Sequence, residues 1–134
     1  MVVHINYVAV IVAALANYII GSIWYGVLFT KQWKKLSGIS EMKLVPGFII
    51  LGLVASFLMS YVLDHALIYA SEYMKMGGIS GGLMCGFFNW LGFIAPVTLG
   101  VVMYQKKSWM LWILDNAYWL LSLLVMGAIL ASWK

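Results

Sequence analysis

The sequence predicts an all-α fold, an integral membrane bundle of four transmembrane helices, and two observations carry this prediction. No Lys, Arg, Asp or Glu occurs between Ile5 and Thr30 or between Met76 and Gln105. Each of these runs exceeds the ~20 apolar residues that a helix needs to cross a hydrocarbon core of about 30 Å. Hydrophobic residues make up 65% of the chain and charged residues 9%, against about 25% charged residues in soluble domains. We therefore expect a single transmembrane domain over residues 1–134 and no soluble catalytic domain.

The four spans follow one another closely along the chain. They are expected at about residues 5–29, 46–69, 79–104 and 109–132. Pro46 suits the first turn of the second span because the N–H that proline lacks would have no partner within the helix there. Ala14-Leu15-Ala16 resembles a signal-peptide cleavage site, but no basic residue precedes the apolar run. We therefore expect the first span to be retained. Continuous apolar runs favour helices over a barrel, whose strands alternate polar and apolar residues.

The longest segment between spans joins the first to the second. Its apolar residues recur at helical spacing, opposite Lys34 and Lys35; they are Trp33, Leu36, Ile39 and Met42. This pattern predicts a short helix lying on the membrane surface.

The lysines predict the orientation. Six of the eight lie in the first and third connections, namely Lys31, Lys34, Lys35, Lys43, Lys106 and Lys107. Only Lys75 and Lys134 fall on the other side. Because basic loops stay in the cytoplasm, we expect a multi-pass protein of the cell (inner) membrane with both termini outside.

Small residues predict where helices approach closely. Gly78, Gly82 and Gly86 repeat every four residues in the third span, which removes side chains along one stripe. The first span carries a weaker stripe of Ala9, Ala13, Asn17 and Gly21. The two faces pair either within one chain or between chains. We expect a homo-oligomer that uses the glycine stripe, with a monomeric bundle as the alternative.

Asp115 and Asn116 lie near the start of the fourth span. A carboxylate within a membrane is costly, so it marks a candidate ion, proton or counter-charge site. The alternative is an interfacial carboxylate that pairs with Lys106, Lys107 or a tryptophan N–H, or one that the helix dipole stabilises.

Asp64 and His65 lie late in the second span. An Asp–His pair can relay protons or bind metal, but adjacent helical residues point about 100° apart. The chain has only two histidines, too few for a convincing metal or haem site. We expect no metal and no cofactor, and the plainer interpretation places the pair at the outer headgroups.

Asn89 is the deepest polar side chain of the third span, and Asn17 in the first span is its expected partner. An amide in lipid seeks a hydrogen bond across a helix interface, although it can also line a pocket. Pro96 is expected to kink the same span by removing a backbone hydrogen bond. The stretch from Asn89 to Pro96 is therefore the strongest single candidate for a functional locus.

Several classes of function are disfavoured. The net charge of +4 comes from lysines beside apolar spans, which indicates headgroup contact rather than nucleic-acid binding. The single Cys85 allows no internal disulfide. No phosphate-binding glycine loop, HExxH motif or serine elbow occurs, so we expect no enzyme activity.

Three stretches of the sequence stand out together: residues 21–26 leading to Lys31-Gln-Trp33, residues 86–96, and residues 115–122 followed by Met126-Gly127-Ala128. In this order they resemble one family of small prokaryotic membrane proteins, the domain-of-unknown-function family number 1761. The resemblance implies a four-helix membrane protein and brings no established activity and no catalytic residues.

The polar groups inside the spans favour a small oligomeric transporter or channel lined by Asn89 and Asp115. The alternative is an accessory or structural subunit that binds another membrane protein or a lipid. Expected partners are the lipid bilayer, further copies of the chain, and a small ion, solute or lipid ligand. A cavity that links Asn89 to Asp115 distinguishes the transporter from the accessory subunit.

Overall fold

Helices account for the regular structure in the computed structural model, which describes residues 3–41 and 45–133 and shows no strand within them. The helices are α1 (Tyr7–Ile23), α2 (Thr30–Ser37), α3 (Pro46–Met74), α4 (Gly78–Asn89), α5 (Ala95–Met103) and α6 (Trp109–Ser132). A first π-helical turn, Trp24–Leu28, extends α1, and a second, Trp90–Ile94, joins α4 to α5. The all-α prediction is confirmed.

Four segments are long and apolar enough to cross a membrane, as predicted. They are Tyr7–Leu28, Pro46–Met74, Gly78–Met103 and Trp109–Ser132. The second span runs five residues beyond the predicted end at 69, because α3 continues to Met74 and closes at Lys75 in a left-handed conformation. Local signals set the helix starts: the Asn6 side chain accepts from the backbone N–H of Val8 and Ala9, and Ser108 caps α6.

The segment after the first span forms a short helix, α2, as the spacing predicted. It ends at Ser37 because Gly38 adopts φ 78°, a left-handed conformation that glycine reaches without strain. Ile39 therefore lies beyond the helix. Met42, Lys43 and Lys134 lie outside the described residues. We call the end of the bundle that carries α2 and the connection 104–108 the lysine-rich end.

Helix α6 occupies the centre of the bundle. It packs along α4 on one side and along α1 on the other, and α1 packs in turn along α3. The core between these helices is built from completely buried Val10, Met126 and Leu130 with small alanines around them. Contacts between α3 and α4 are less extensive, so α3 is held mainly through α1.

The glycine stripe faces α6 of the same chain, which corrects the prediction that it forms the contact between copies. A Cβ atom on Gly82 would overlap the carbonyl oxygen of Gly127, and one on Gly86 would overlap that of Leu123. Gly78 does not belong to this contact: it is exposed, has φ 70°, and has no neighbour within 4 Å of an added Cβ. The close approach of α4 and α6 uses the stripe within one chain.

Pro96 lies at the start of α5, directly after the second π turn. The third span is therefore interrupted rather than continuous, as expected of a proline that cannot donate to the preceding turn. The side chain of Pro96 is itself exposed.

Candidate functional site

A buried polar junction joins three helices at the middle of the bundle. The Asn17 amide Nδ2 donates to Ser56 Oγ at 2.7 Å, and Tyr118 OH donates to Asn17 Oδ1 at 3.0 Å. Ser122 Oγ also donates to Asn17 Oδ1. Asn17 is only 2% exposed, so these bonds satisfy an amide that would otherwise be costly in an apolar surrounding. We call these four residues the Asn17 junction.

A polar stripe on α3 continues from this junction away from the lysine-rich end of the bundle. Ser56, Ser60 and Asp64 are spaced four residues apart and are all buried, Asp64 with 1% exposure. Residues at this spacing share one helix face. Ser60 Oγ donates to the Val10 carbonyl of α1 at 2.8 Å, so the face is turned toward α1.

Asp64 and His65 separate from each other, as their 100° offset requires. His65 is half-buried, and its Nδ1 lies 2.8 Å from the Tyr61 carbonyl on its own helix. Its ring packs on Tyr61 at a centroid distance of 4.5 Å. Asp64 is instead buried among the helices, and its expected depth at the outer headgroups stays a prediction. Within residues 3–41 and 45–133, no group of three His, Cys, Asp or Glu side chains is placed to hold a metal.

Asp115 receives its hydrogen bond from the first π turn. Tyr25 OH donates to Asp115 Oδ1 at 2.7 Å, so the partner is a tyrosine rather than the expected lysine or tryptophan. The Tyr25 ring also meets the Tyr118 ring edge-on at 5.3 Å, which connects this pair to the Asn17 junction.

Asn116, the next residue, is bonded from the other side of α6. Trp90 Nε1 of the second π turn donates to Asn116 Oδ1 at 3.1 Å, and Asn116 Nδ2 donates to Thr98 Oγ1 at 3.0 Å. Both π turns begin at a tryptophan that is followed two residues later by glycine. π-helical turns are frequent at functional sites, and here each one brings a donor to one of two adjacent residues of α6.

Asn89 does not reach Asn17, so the predicted pairing of the two amides is wrong. Asn89 Nδ2 donates to the Cys85 carbonyl of its own helix at 2.8 Å. The Asn89 side chain remains half-buried and borders two cavities between α3 and α4.

The larger of these cavities is an apolar groove of about 470 Å³ between α3 and the second π turn. Apart from Asn89, its lining is apolar and includes Leu58, Met59, Val62, Phe93 and Ile94. A more polar crevice of about 320 Å³ lies between α1, α3 and α6 and is bordered by Asn17, Tyr18, Ser22, Ser56 and Tyr118. Met59 borders both cavities. We call the groove and the crevice together the α3 cleft.

The model of the protein-of-unknown-function family DUF1761 matches residues 8–131, nearly the whole chain. The chain belongs to the DUF1761 family. No curated protein and no solved structure shows a significant match to it. The resemblance noted in the sequence is thereby confirmed, and membership of DUF1761 assigns no reaction and no ligand.

In this DUF1761 chain, the structure brings together some of the predicted polar residues and separates others. Asn17, Asp115 and Asn116 lie in hydrogen-bonded contacts around α6, whereas Asn89 faces the α3 cleft. Asp115 borders none of the three cavities described. The serines of the network were not among the predicted site residues; their signal in the sequence was the four-residue spacing of Ser56, Ser60 and Asp64.

Proposed function

We propose that the chain is a non-catalytic membrane protein that binds a lipid-like molecule in the α3 cleft. One observation carries the proposal: a largely apolar groove and a polar crevice among the membrane spans share Met59 in their linings. Binding sites for small molecules have this combination of apolar walls and a few polar groups. The proposal develops the lipid-binding alternative drawn from the sequence.

The exposure of α3 supports this proposal. The first part of α3 is apolar and largely exposed, with Phe48, Ile50 and Leu51 each at least 64% exposed. Exposed apolar residues of this kind need an apolar surrounding, and Leu58 and Val62 of the same helix, which line the groove, are exposed as well.

A photoactivatable lipid tests the proposal. Lipids with a diazirine in one acyl chain and a mixture of headgroups are added to vesicles that contain the protein, and cross-linked peptides are mapped by mass spectrometry. We expect labelling above the surface background at residues 58–63 and 89–94. Labelling spread evenly over all exposed apolar faces would contradict a specific site.

Substitutions in the cleft provide the control. Met59→Trp enlarges the residue that lines both the groove and the crevice, and Val62→Trp fills the groove from an exposed position. Both should reduce cleft labelling at least severalfold. Leu51→Trp adds the same side chain to the same helix at a 64% exposed position outside both cavities, and labelling should be unchanged.

A transporter remains the second candidate because two carboxylates lie within the spans. Asp64 is buried in α3 and Asp115 is half-buried in α6, with Ser60, Ser56, Asn17, Tyr118 and Tyr25 between them. Intramembrane carboxylates commonly mark ion or proton pathways. None of the three cavities described is lined by both Asn89 and Asp115, which ranks this candidate second.

Flux measurements separate the two candidates. Under the transport hypothesis, Asp115→Asn keeps the side-chain size, removes the charge and should sharply reduce ion or proton flux in reconstituted vesicles. Wild-type vesicles with no flux above empty vesicles, across several ions and gradients, would remove the transport hypothesis.

We also retain the homo-oligomer as a proposal, through a surface other than the glycine stripe. The broad apolar surface of α3 supports it. Native mass spectrometry from a mild detergent should show a mass that is a multiple of 15.0 kDa; a single 15.0 kDa species across several detergents would overturn it.

A further inference from the structure

We infer that the ligand of the α3 cleft is an uncharged lipid whose polar end carries a carbonyl or hydroxyl group, as in a diacylglycerol. This inference rests on the proposed binding function and narrows it to a chemical class. It depends on the charge, the depth and the remaining hydrogen-bonding capacity of the cleft.

The lining of the cleft is uncharged. No Lys, Asp, Glu or His occurs among the described residues that border the groove or the crevice. The two nearby acids border neither the groove nor the crevice, and Asp115 is bonded to Tyr25. A phosphate or ammonium group in the cleft would therefore lack an opposite charge.

The depth of the crevice makes that lack costly. Ser56 lies about 15 Å along α3 from Pro46 at ~1.5 Å per residue, which is roughly half of a 30 Å hydrocarbon core. An ion at this depth loses its hydration, and without a partner the cost is several kcal/mol or more. A neutral polar group does not meet this barrier.

The polar wall offers donors to a neutral acceptor. Ser56 accepts from Asn17, and a serine hydroxyl that accepts a hydrogen bond still has its own proton to donate. The Asn17 amide has a second N–H beyond the one given to Ser56. Both residues border the crevice, so a carbonyl or hydroxyl oxygen there meets hydrogen-bond donors while the chains of the lipid lie in the groove.

The size and shape of the cleft agree with a chain-bearing molecule. The groove holds about 470 Å³ and the crevice about 320 Å³, and Met59 borders both. The occupant therefore has an apolar body longer than its polar end. A small polar solute would leave most of the groove without contacts.

Headgroup comparison tests the inference on the wild-type protein. Three diazirine lipids with identical chains are compared in vesicles at the same mole fraction: diacylglycerol, phosphatidic acid and phosphatidylcholine. We expect at least severalfold more labelling of residues 58–63 and 89–94 by diacylglycerol, and competition by unlabelled diacylglycerol. Val62→Trp should abolish the difference, and Leu51→Trp should preserve it.

The possible results separate this inference from the proposed function. Equal cleft labelling by all three lipids, lost in Val62→Trp, would keep lipid binding and overturn the preference for a neutral headgroup. Preferred labelling by phosphatidic acid or phosphatidylcholine would also overturn it. No cleft labelling above background by any of the three would overturn both.

Discussion

At the scale of single residues, Asn17 has the largest number of described interhelical hydrogen bonds for one side chain. It contacts Ser56 of α3 and both Tyr118 and Ser122 of α6. Asn17→Ala removes these bonds and leaves buried hydroxyls without their partner. Hydrogen bonds between membrane helices contribute ~0.6–2 kcal/mol each, so we expect a loss of about 1–3 kcal/mol in the free energy of unfolding. Reversible unfolding in mixed micelles measures it.

Ser22→Ala is the matched control for that substitution. Ser22 lies on the same helix, is exposed, and donates only to the Tyr18 carbonyl of its own helix among the described bonds. Its removal should change the free energy of unfolding by less than about 0.5 kcal/mol. Equal effects of the two substitutions would show that the Asn17 junction does not hold the helices together.

Tyr25 and Asp115 form the second contact that is testable at this scale. Tyr25→Phe and Asp115→Ala should each weaken the bundle, and the double variant should lose less than the sum because the first removes the donor and the second removes the acceptor of the same bond. We expect a coupling free energy of ~0.6–2 kcal/mol. Tyr104→Phe, at an 81% exposed position, should show no coupling to Asp115→Ala. Additive effects of Tyr25→Phe and Asp115→Ala would contradict the contact.

The sequence identified several of these polar residues but not their partners. Asn17, Asp115 and Asn116 stood out because polar groups inside apolar spans are rare. Their partners depend on how each helix is rotated about its axis, which spacing within one span does not fix. The expected Asn17–Asn89 pair failed for this reason: α6 lies beside α1, so its Tyr118 and Ser122 reach Asn17.

At the scale of elements, the contact between α4 and α6 depends on glycine. Gly82→Ala places a Cβ against the Gly127 backbone, and backbone cannot yield as a flexible side chain does. We expect the helices to be forced apart, with a loss of at least ~1–3 kcal/mol in unfolding free energy. Gly92→Ala, in the same span with no neighbour within 4 Å of an added Cβ, is the control. Unfolding measured in parallel should separate the two, and equal stability would refute the close contact.

Apolar runs located the four spans, but not the two π turns within them. Helical spacing is insensitive to a single wider turn, so Trp24–Leu28 and Trp90–Ile94 were included in the predicted helices. The available signal was the repeated Trp-x-Gly triplet at Trp24 and Trp90. Pro96 was the one residue that indicated an interruption, since it cannot donate a hydrogen bond to the second π turn.

At the scale of the whole molecule, the lysines predict the topology. Cysteines introduced at Gly38 and at Lys75, in a Cys85→Ala background, report opposite sides of the membrane. Cells treated with a membrane-impermeant maleimide should label the Lys75 position, and the Gly38 position should react only after permeabilisation. Selective labelling at Gly38 in intact cells would reverse the orientation.

The central position of α6 has a consequence for how the protein is made. The ribosome completes α6 after α1, α3 and α4, yet α6 contacts all three. Until it emerges, the glycine face of α4 is uncovered and Asn17 Oδ1 lacks its donors Tyr118 and Ser122. The packing of the earlier helices therefore stays incomplete until α6 has been inserted, and membrane chaperones or proteases can act on them during this interval. A chain that ends before Trp109 would leave the Gly82 and Gly86 face of α4 without the helix that covers it.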